Sequence, residues 1–362
     1  MKHIYFTVTN DLTYDQRMHR ICHSLTTNGF NVTLVGRKMA TSHPLAQKSF
    51  EQKRLKCFFN KGFLFYVEYN TRLFFYLLNK RMDAVCAIDL DTILPCLAVS
   101  QIKEIKRVYD AHEYFTELKE VRTRPFVKWV WGKVEQFAVP KFRYGYTVSE
   151  GLADEFARKY NRNYAVIRNL PLFTPFKPVV KEERYLFYGG AVNEARGFEY
   201  LIPAMVHIDC KLIVAGDGNF MPQLKALIEQ YKVAHKVELK GMVSPEELRN
   251  YAEKATLGLA LAEKDGINQY WALPNKFLDY IHAALPQIAM NYPEYTKIND
   301  RYKVAVLLDG LSVESVVRKV NETLADTAKL EEMSAQCLMA RENLNWQKEE
   351  EALVKFYHSI FS

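Results

Sequence analysis

An α/β fold made of two doubly wound, Rossmann-like domains is the class this sequence predicts, on three observations. Short β-rich runs alternate with longer helical patterns along the 362 residues, the order that yields parallel sheets covered by helices. A proline-rich passage, Pro171, Pro175 and Pro178, reads as a linker, and after it the rhythm starts again. A chain of this length also exceeds what one hydrophobic core usually supports.

In the first half the expected strands are His3–Val8, Asn31–Val35, Ala84–Ile88, Arg107–Tyr109, Gly145–Val148 and Ala165–Ile167, with helical patterns at Asp15–Thr27, Thr92–Ile105, Pro125–Val139 and Gly151–Tyr160. Beyond the linker the strands are Arg184–Tyr188, Lys211–Ala215, Val237–Lys240, Leu257–Leu261, Gln287–Met290 and Ala305–Leu308. The domains are therefore expected at 1–172 and 180–344. An amphipathic helix over 345–362 lies far from the second sheet's strands and is expected to cross back onto the first domain. There are no internal repeats and no low-complexity tract.

Within the second half, Trp271-Ala-Leu-Pro-Asn-Lys-Phe-Leu-Asp-Tyr-Ile-His-Ala-Ala-Leu-Pro286 places a sharp turn at the start of a helix. Pro274 suits a first-turn position, and Phe277, Leu278, Ile281 and Leu285 recur with helical spacing. The N-terminal end of such a helix attracts phosphate, and Lys276 adds a point charge there. Asp279, one turn further on, shares a face with Asn275 and Lys276, where a carboxylate can accept two sugar hydroxyls. A nucleotide site and an ordinary capped surface helix both fit the turn by itself.

With 49% apolar and 25% charged residues, the composition is that of a globular protein. The start, Met1 to Asn10, is too short an apolar run for a signal peptide. The most apolar region, Cys57 to Leu78, is interrupted by Lys61, Glu68 and Arg72, short of the ~20 apolar residues of a membrane span. A cytoplasmic protein is expected. Cys22, Cys57, Cys86, Cys96, Cys210 and Cys337 have no C-x-x-C spacing, which argues against a zinc site or a disulfide framework. Residues 1–180 hold 28 Lys+Arg against 16 Asp+Glu, and the remainder 21 against 26. A basic first half points to an anionic partner. No zinc-finger spacing, RNP-type motif or basic heptad helix is present, so an anionic membrane surface is preferred to nucleic acid. The segment Lys53 to Arg81, with basic residues at both ends of an aromatic and leucine-rich run, has the composition of a surface that lies among lipid headgroups on the inner membrane face. A core helix packed on the first sheet is the other reading of it.

Asp15-Gln-Arg17, Tyr109-Asp-Ala-His-Glu113, Thr147-Val-Ser-Glu150, Arg168-Asn169, Tyr188-Gly-Gly190 with Arg196-Gly197, Ala215-Gly-Asp-Gly218, and Pro274-Asn-Lys276 with Asp279 occur in an order that resembles the group 1 (family 4 type) retaining glycosyltransferases of the GT-B fold. Each motif is weak alone; the ordered set runs over nearly the whole chain. The resemblance implies a nucleotide-diphosphate-sugar donor on the second domain, a glycan or polyprenyl-linked acceptor on the first, and chemistry in a cleft between them, as in surface polysaccharide assembly. It implies retention at the anomeric carbon and no cofactor beyond the donor itself. A nucleotide-sugar 2-epimerase and a catalytically silent sugar-nucleotide-binding partner are the rival readings.

On that resemblance the donor site comprises Gly189, Gly190, Arg196, Gly216, Asp217, Gly218, Asn275, Lys276 and Asp279. Arg196 and Lys276 are expected to grip the diphosphate and offset charge on the leaving group, and with His112 they are the candidate catalytic residues. Glycines at 189–190 and 216–218 either allow close backbone approach to the nucleotide or simply form tight turns. Asp279 stands at the second position of a Glu-x7-Glu pair whose first position is Trp271, so Glu263, Asp265 or a backbone amide near Gly266–Asn268 is expected to substitute. On the acceptor side the candidates are Asp15, Arg17, Asp110 and Glu113, with Tyr270 and Trp271 able either to stack on a sugar or base or to plug the cleft. Asp110, His112 and Glu113 follow a strand directly, where open α/β sheets place ligands; His112 and Glu113 capping the next helix is the bland alternative. Asp89-Leu-Asp91 matches a metal-binding D-x-D pattern, but it lies in the acceptor half, so a loop turn or an acceptor contact is expected and no metal.

Overall fold

The computed structural model describes residues 1–264 and 266–362. The chain forms two compact units: unit 1 comprises Met1–Asn169 and Lys348–Ser362, and unit 2 comprises Leu170–Gln347.

Unit 1 is built on seven parallel strands, β1 (His3–Thr7), β2 (Asn31–Lys38), β3 (Glu51–Lys56), β4 (Ala84–Ile88), β5 (Lys106–Ala111), β6 (Tyr144–Thr147) and β7 (Ala165–Val166), in the order β3-β2-β1-β4-β5-β6-β7. Its helices are α1 (Gln16–Thr27), α2 (Gly62–Leu78), α3 (Ile93–Ile102), α4 (Lys119–Arg122), α5 (Pro125–Ala138) and α6 (Glu150–Tyr160). The chain moves outward from β1 to β3, returns to β4 beside β1, and then proceeds the other way. With right-handed crossovers this reversal puts α1 and α3 on opposite faces and parts the loops leaving β1 and β4.

Local sequence explains most of these elements. All five residues of β4 are buried, the continuous apolar run of a central parallel strand. Asp15 caps α1 by accepting the Met18 N–H, and Met18, Ile21, Cys22 and Leu25 then bury one stripe. Ser149 caps α6 through the Leu152 N–H, and Asn161 ends it in the left-handed conformation. Two elements, β3 and the four-residue α4, lie outside the expected set. β3, Glu51-Gln-Lys-Arg-Leu-Lys56, is an edge strand with almost no apolar signal. α2 makes the aromatic segment a helix, as the core-helix reading of Lys53–Arg81 has it; it buries Phe65, Tyr69, Leu73 and Leu77 and leaves other apolar residues outside.

Unit 2 has six parallel strands, β8 (Tyr185–Gly189), β9 (Lys211–Ala215), β10 (Val237–Gly241), β11 (Leu257–Ala260), β12 (Gln287–Met290) and β13 (Ala305–Leu308), in the order β10-β9-β8-β11-β12-β13. Here the reversal falls between β8 and β11. Around the sheet are α7 (Phe198–Ala204), α8 (Met221–Gln230), α9 (Pro245–Lys254), α10 (Ile267–Trp271), α11 (Asn275–His282), α12 (Pro293–Tyr302), α13 (Val313–Ala325) and α14 (Thr327–Arg341). Pro274 is the cap of α11 rather than its first helical residue, and the helix stops at His282 instead of running to Leu285. Ala284 takes a left-handed φ of 53°, which turns the chain so that Leu285 is buried just ahead of β12.

The C-terminal helix α15 (Trp346–Phe361) belongs to unit 1 from Lys348 onward. Leu353, Tyr357 and Ile360 form its buried stripe, with the Tyr357 ring 5.8 Å from Phe6 and 6.2 Å from Tyr146. Its first turns are fastened by the Ser24 hydroxyl donating to Glu350 at 2.5 Å and the Arg168 N–H donating to Glu349 at 2.6 Å. Among the described residues no helix is long and apolar enough to cross a membrane.

Candidate functional site

In unit 2 the predicted residues gather at the carboxyl ends of β8 and β9 and the start of α11, around the strand-order reversal where open α/β sheets bind ligands. β8 ends in Gly189, and the chain then loops through Arg196 before α7. Within that loop Ala195 has a left-handed φ of 60°, held by the Glu263 N–H donating to its carbonyl at 3.1 Å. A non-glycine residue in that region is strained, and here the strain sets the course of the backbone into Arg196.

Lys276, in the first turn of α11, reaches back to this loop. Its Nζ is buried and has no hydrogen-bond partner; it sits 3.6 Å from the centre of the Tyr188 ring. Desolvation, reinforced by the neighbouring Arg196 charge, holds its pKa well below the ordinary lysine value. Two cationic side chains therefore converge where, among the described residues, no carboxylate pairs with either. The cation–π contact to Tyr188 offsets part of the cost, but an anion is the partner this arrangement lacks.

The glycines divide into two kinds. A Cβ at Gly216 would lie 1.8 Å from the Gly190 carbonyl oxygen, and one at Gly218 would lie 2.3 Å from the Val192 carbonyl oxygen. At Gly189 it would meet the Phe187 ring at 2.8 Å. These three glycines answer to the chain's own packing, the tight-turn alternative. Gly190 differs: its φ is +131° and the nearest atom to a Cβ there is Lys276 Cε at 3.8 Å, so it opens on the lysine. Asn275, Asp217 and Asp279 are exposed.

Tyr280, one turn beyond Lys276, went unnoticed in the sequence. Its hydroxyl accepts the Gly189 N–H at 2.9 Å and lies 3.3 and 3.4 Å from the carbonyls of Phe187 and Leu259, so it ties α11 to both strands flanking the reversal. The lysine-plus-four spacing was the available signal. Tyr270 stacks edge-on with Tyr292, with the Lys264 ammonium 4.5 Å from its ring centre; Trp271 contacts Tyr270. Of the expected stand-ins for the missing glutamate, Glu263 is partly buried beside Ala195, and Asp265 lies outside the described residues.

Unit 1 has its own pocket, of ≈ 190 Å³, at the reversal between β1 and β4. Thr9, Asn10, Asp15, Arg17, Asp89 and His112 are among its lining residues. Asp110 does not open onto it as expected from its place at the strand end. It is fully buried and holds the Arg17 guanidinium in a two-point pair, Nη1–Oδ2 2.5 Å and Nη2–Oδ1 3.0 Å. Burial opposes the Arg17 charge, but Asp110 prevails and raises its pKa. Asp110 thus acts through Arg17.

His112 does not cap a helix. Its Nδ1 lies 3.9 Å from Asp89, and desolvation together with Arg17 holds it below the ordinary histidine value, a neutral ring. Asp89 adopts a left-handed φ of 51°, fastened by its own N–H to the Asp110 carbonyl at 2.9 Å and by the Glu113 N–H to its carboxylate at 3.0 Å. Asp91 accepts from Thr9 at 2.8 Å, and burial pushes its carboxyl up to about 6 against the opposing Thr9, Tyr66 and Arg37. Both aspartates of the D-x-D pattern thus line the pocket. Among the described residues no three His, Cys, Asp or Glu side chains converge to hold a metal ion.

Residues 173–337 match a family model described as Glycosyl transferases group 1. An uncharacterized glycosyltransferase of Methanocaldococcus jannaschii is 33% identical over 81 residues; the match spans 21% of this chain and 21% of the length of that relative. Among solved structures, a sucrose-phosphate synthase from Thermosynechococcus elongatus superposes with a TM-score of 0.84 at 14% identity, over 100% of this chain and 99% of that one. Anabaena HepE in complex with UDP-glucose gives 0.74 at 11% identity, over 99% and 100%; the same protein has been solved with UDP and with UDP and glucose. Residues 173–337, most of unit 2, are therefore a group 1 glycosyltransferase domain, and the two parallel-sheet α/β units are those of the GT-B fold.

Proposed function

We propose that the protein transfers a glycosyl group from a nucleoside-diphosphate sugar bound by unit 2 to a hydroxyl of a glycan or lipid-linked saccharide bound by unit 1. The observation that carries the reading is the buried, unpartnered Lys276 ammonium beside Arg196 and the open Gly190. A diphosphate supplies the missing anion, and the positive dipole end of α11 adds to the attraction. Asp279, exposed one turn on, is the candidate contact for a ribose diol.

As the bond from the sugar's anomeric carbon to the β-phosphate oxygen breaks, negative charge grows on the diphosphate, and Arg196 and Lys276 stabilise it where it develops. The acceptor oxygen forms the new bond to that carbon. In a front-face displacement the departing phosphate oxygen takes the acceptor proton, so that retention needs no protein nucleophile. Neutral His112 can hydrogen-bond a sugar hydroxyl, and the Arg17–Asp110 pair holds one wall of the acceptor pocket.

HepE binds UDP and UDP-glucose, so the UDP series is the first to test. Calorimetric titration with UDP, GDP and their sugars should give binding for one base, and Arg196→Ala and Lys276→Ala should each lower kcat/KM by on the order of 10²-fold. His112→Ala should keep nucleotide affinity and lose transfer. Unaltered turnover in both cation variants would remove the donor-site assignment.

A further inference from the structure

We propose that the outer surface of α2 and α5 docks unit 1 on an anionic lipid bilayer. The inference goes beyond the transfer reaction and does not depend on it.

α2 carries two apolar stripes where a soluble surface helix needs one. Phe65, Tyr69, Leu73 and Leu77, at four-residue spacing, face the core. Leu64, Val67 and Phe75 recur on the other side and are exposed, with Phe63 beside them 72% exposed. α5 repeats the design: Phe126 is 74% exposed, Trp129 60%, and Phe137, two turns further on, is exposed as well. The two helices touch through the edge-on Tyr66–Trp131 contact at 5.2 Å, made by half-buried rings away from the exposed stripes. Between α2 and α3 that surface dips into a groove of ≈ 270 Å³ lined by Thr71, Phe74, Leu94 and Pro95.

The loop before α2 is fixed in an outward pose. Glu68 accepts the N–H groups of both Phe58 and Phe59 at 2.9 Å and pairs with Arg72, whose guanidinium stands 5.1 Å from the Phe58 ring. Phe58 is nevertheless 84% exposed. An aromatic ring held in water by a built loop is poised for an apolar phase.

Charge selects the occupant. Apart from Arg54, residues 53–81 hold six Lys+Arg and one acid, Glu68, and residues 119–133 five and one, Glu120, with Lys128 paired to Glu117. A second copy of the chain would bring like charges together, whereas anionic headgroups neutralise them while the rings enter the acyl boundary. Arg54 is not part of this surface. It donates to the carbonyls of Asp11 and His43 and to the Thr13 hydroxyl, and so holds the loop after β1.

Sedimentation with vesicles of phosphatidylcholine, alone or mixed with phosphatidylglycerol, tests the proposal on the full chain. Binding is expected only to the mixed vesicles at low salt, with release as salt exceeds physiological strength. Each lysine at an anionic surface multiplies the partition coefficient about fivefold, so Lys56→Gln, Lys61→Gln and Lys133→Gln together should weaken binding on the order of 10²-fold. The exposed triple Phe63→Ser, Phe126→Ser and Trp129→Ser should abolish it. Both triples should keep the wild-type circular dichroism and the wild-type thermal response to nucleotide, which separates this outcome from failure of the transferase reading. No vesicle binding at low salt, equal binding to neutral vesicles, wild-type binding by either triple, or a wild-type dimer dissolved by the aromatic triple would each overturn it.

Discussion

An ammonium group enclosed without an anion costs a folded protein free energy, and at Lys276 that cost has a measurable sign. Lys276→Met should raise the melting temperature of the ligand-free protein, by a few degrees if an unsatisfied buried group costs about 1–3 kcal/mol, and should remove the added stability that a nucleoside diphosphate confers. Scanning calorimetry with and without UDP decides it; an unchanged melt with a retained ligand shift would dispose of the site. The proton linkage follows. Unfolded, the lysine titrates at its ordinary 10.5, while folded and empty it titrates well below. Between those values the unfolded chain holds a proton that the native state lacks, so ligand-free stability falls as pH falls through that window. A bound diphosphate restores the charge, so binding takes up a proton and tightens as pH falls there, which titration in two buffers of different ionisation enthalpy would register. Asp91 has the opposite linkage. Its carboxyl moves from 3.8 to about 6 on folding, so the native state is penalised above pH 6 by up to about 3 kcal/mol, and the penalty fades as pH drops toward 3.8. Asp91→Asn should therefore stabilise the protein at pH 8 and gain little near pH 4. Sequence reading singled out Lys276, Arg17 and Asp110 by position, yet not that Asp110 would be consumed by Arg17, 93 residues away. Such pairings are tertiary, and one sequence carries no trace of them.

At the level of elements, the loops around the β8–β11 reversal are pressed so closely together that glycine substitutions should separate packing from binding. Gly216→Ala drives a methyl group into the Gly190 carbonyl and should cost on the order of 3 kcal/mol through overpacking and backbone strain, with the melt as the readout. Gly190→Ala meets only Lys276 Cε. It should cost less stability and weaken nucleotide binding more, and a reversal of that order would mean that Gly190 does not border the ligand. Central strands such as β4 and β8 were legible because burial on both faces writes an unbroken apolar run. β3 was not, since an edge strand with one covered face needs little apolar signal. α2 was one of two readings of its segment, a core helix, because apolar residues around most of its circumference blur the 3.6-residue period that reveals a helix.

For the whole molecule, the doubled rhythm of strands and helices on either side of the prolines announced two sheets, and each sheet has one strand-order reversal. Residues 348–362 are as much a part of unit 1 as its own strands, since Leu353, Tyr357 and Ile360 are fully or almost fully buried. A chain ending at Gln347 should therefore expose Phe6, Phe30 and Tyr146, so that unit 1 loses protease resistance while unit 2 keeps it; equal resistance of both would show the helix to be dispensable. The same membership imposes an order of events during synthesis. Strands β1 to β7 leave the ribosome first, but the helix that closes their core is made only after every residue of unit 2. The first unit to emerge is thus the second to be completed, and in the interval its uncovered core is open to chaperones and to misassociation with neighbouring nascent chains.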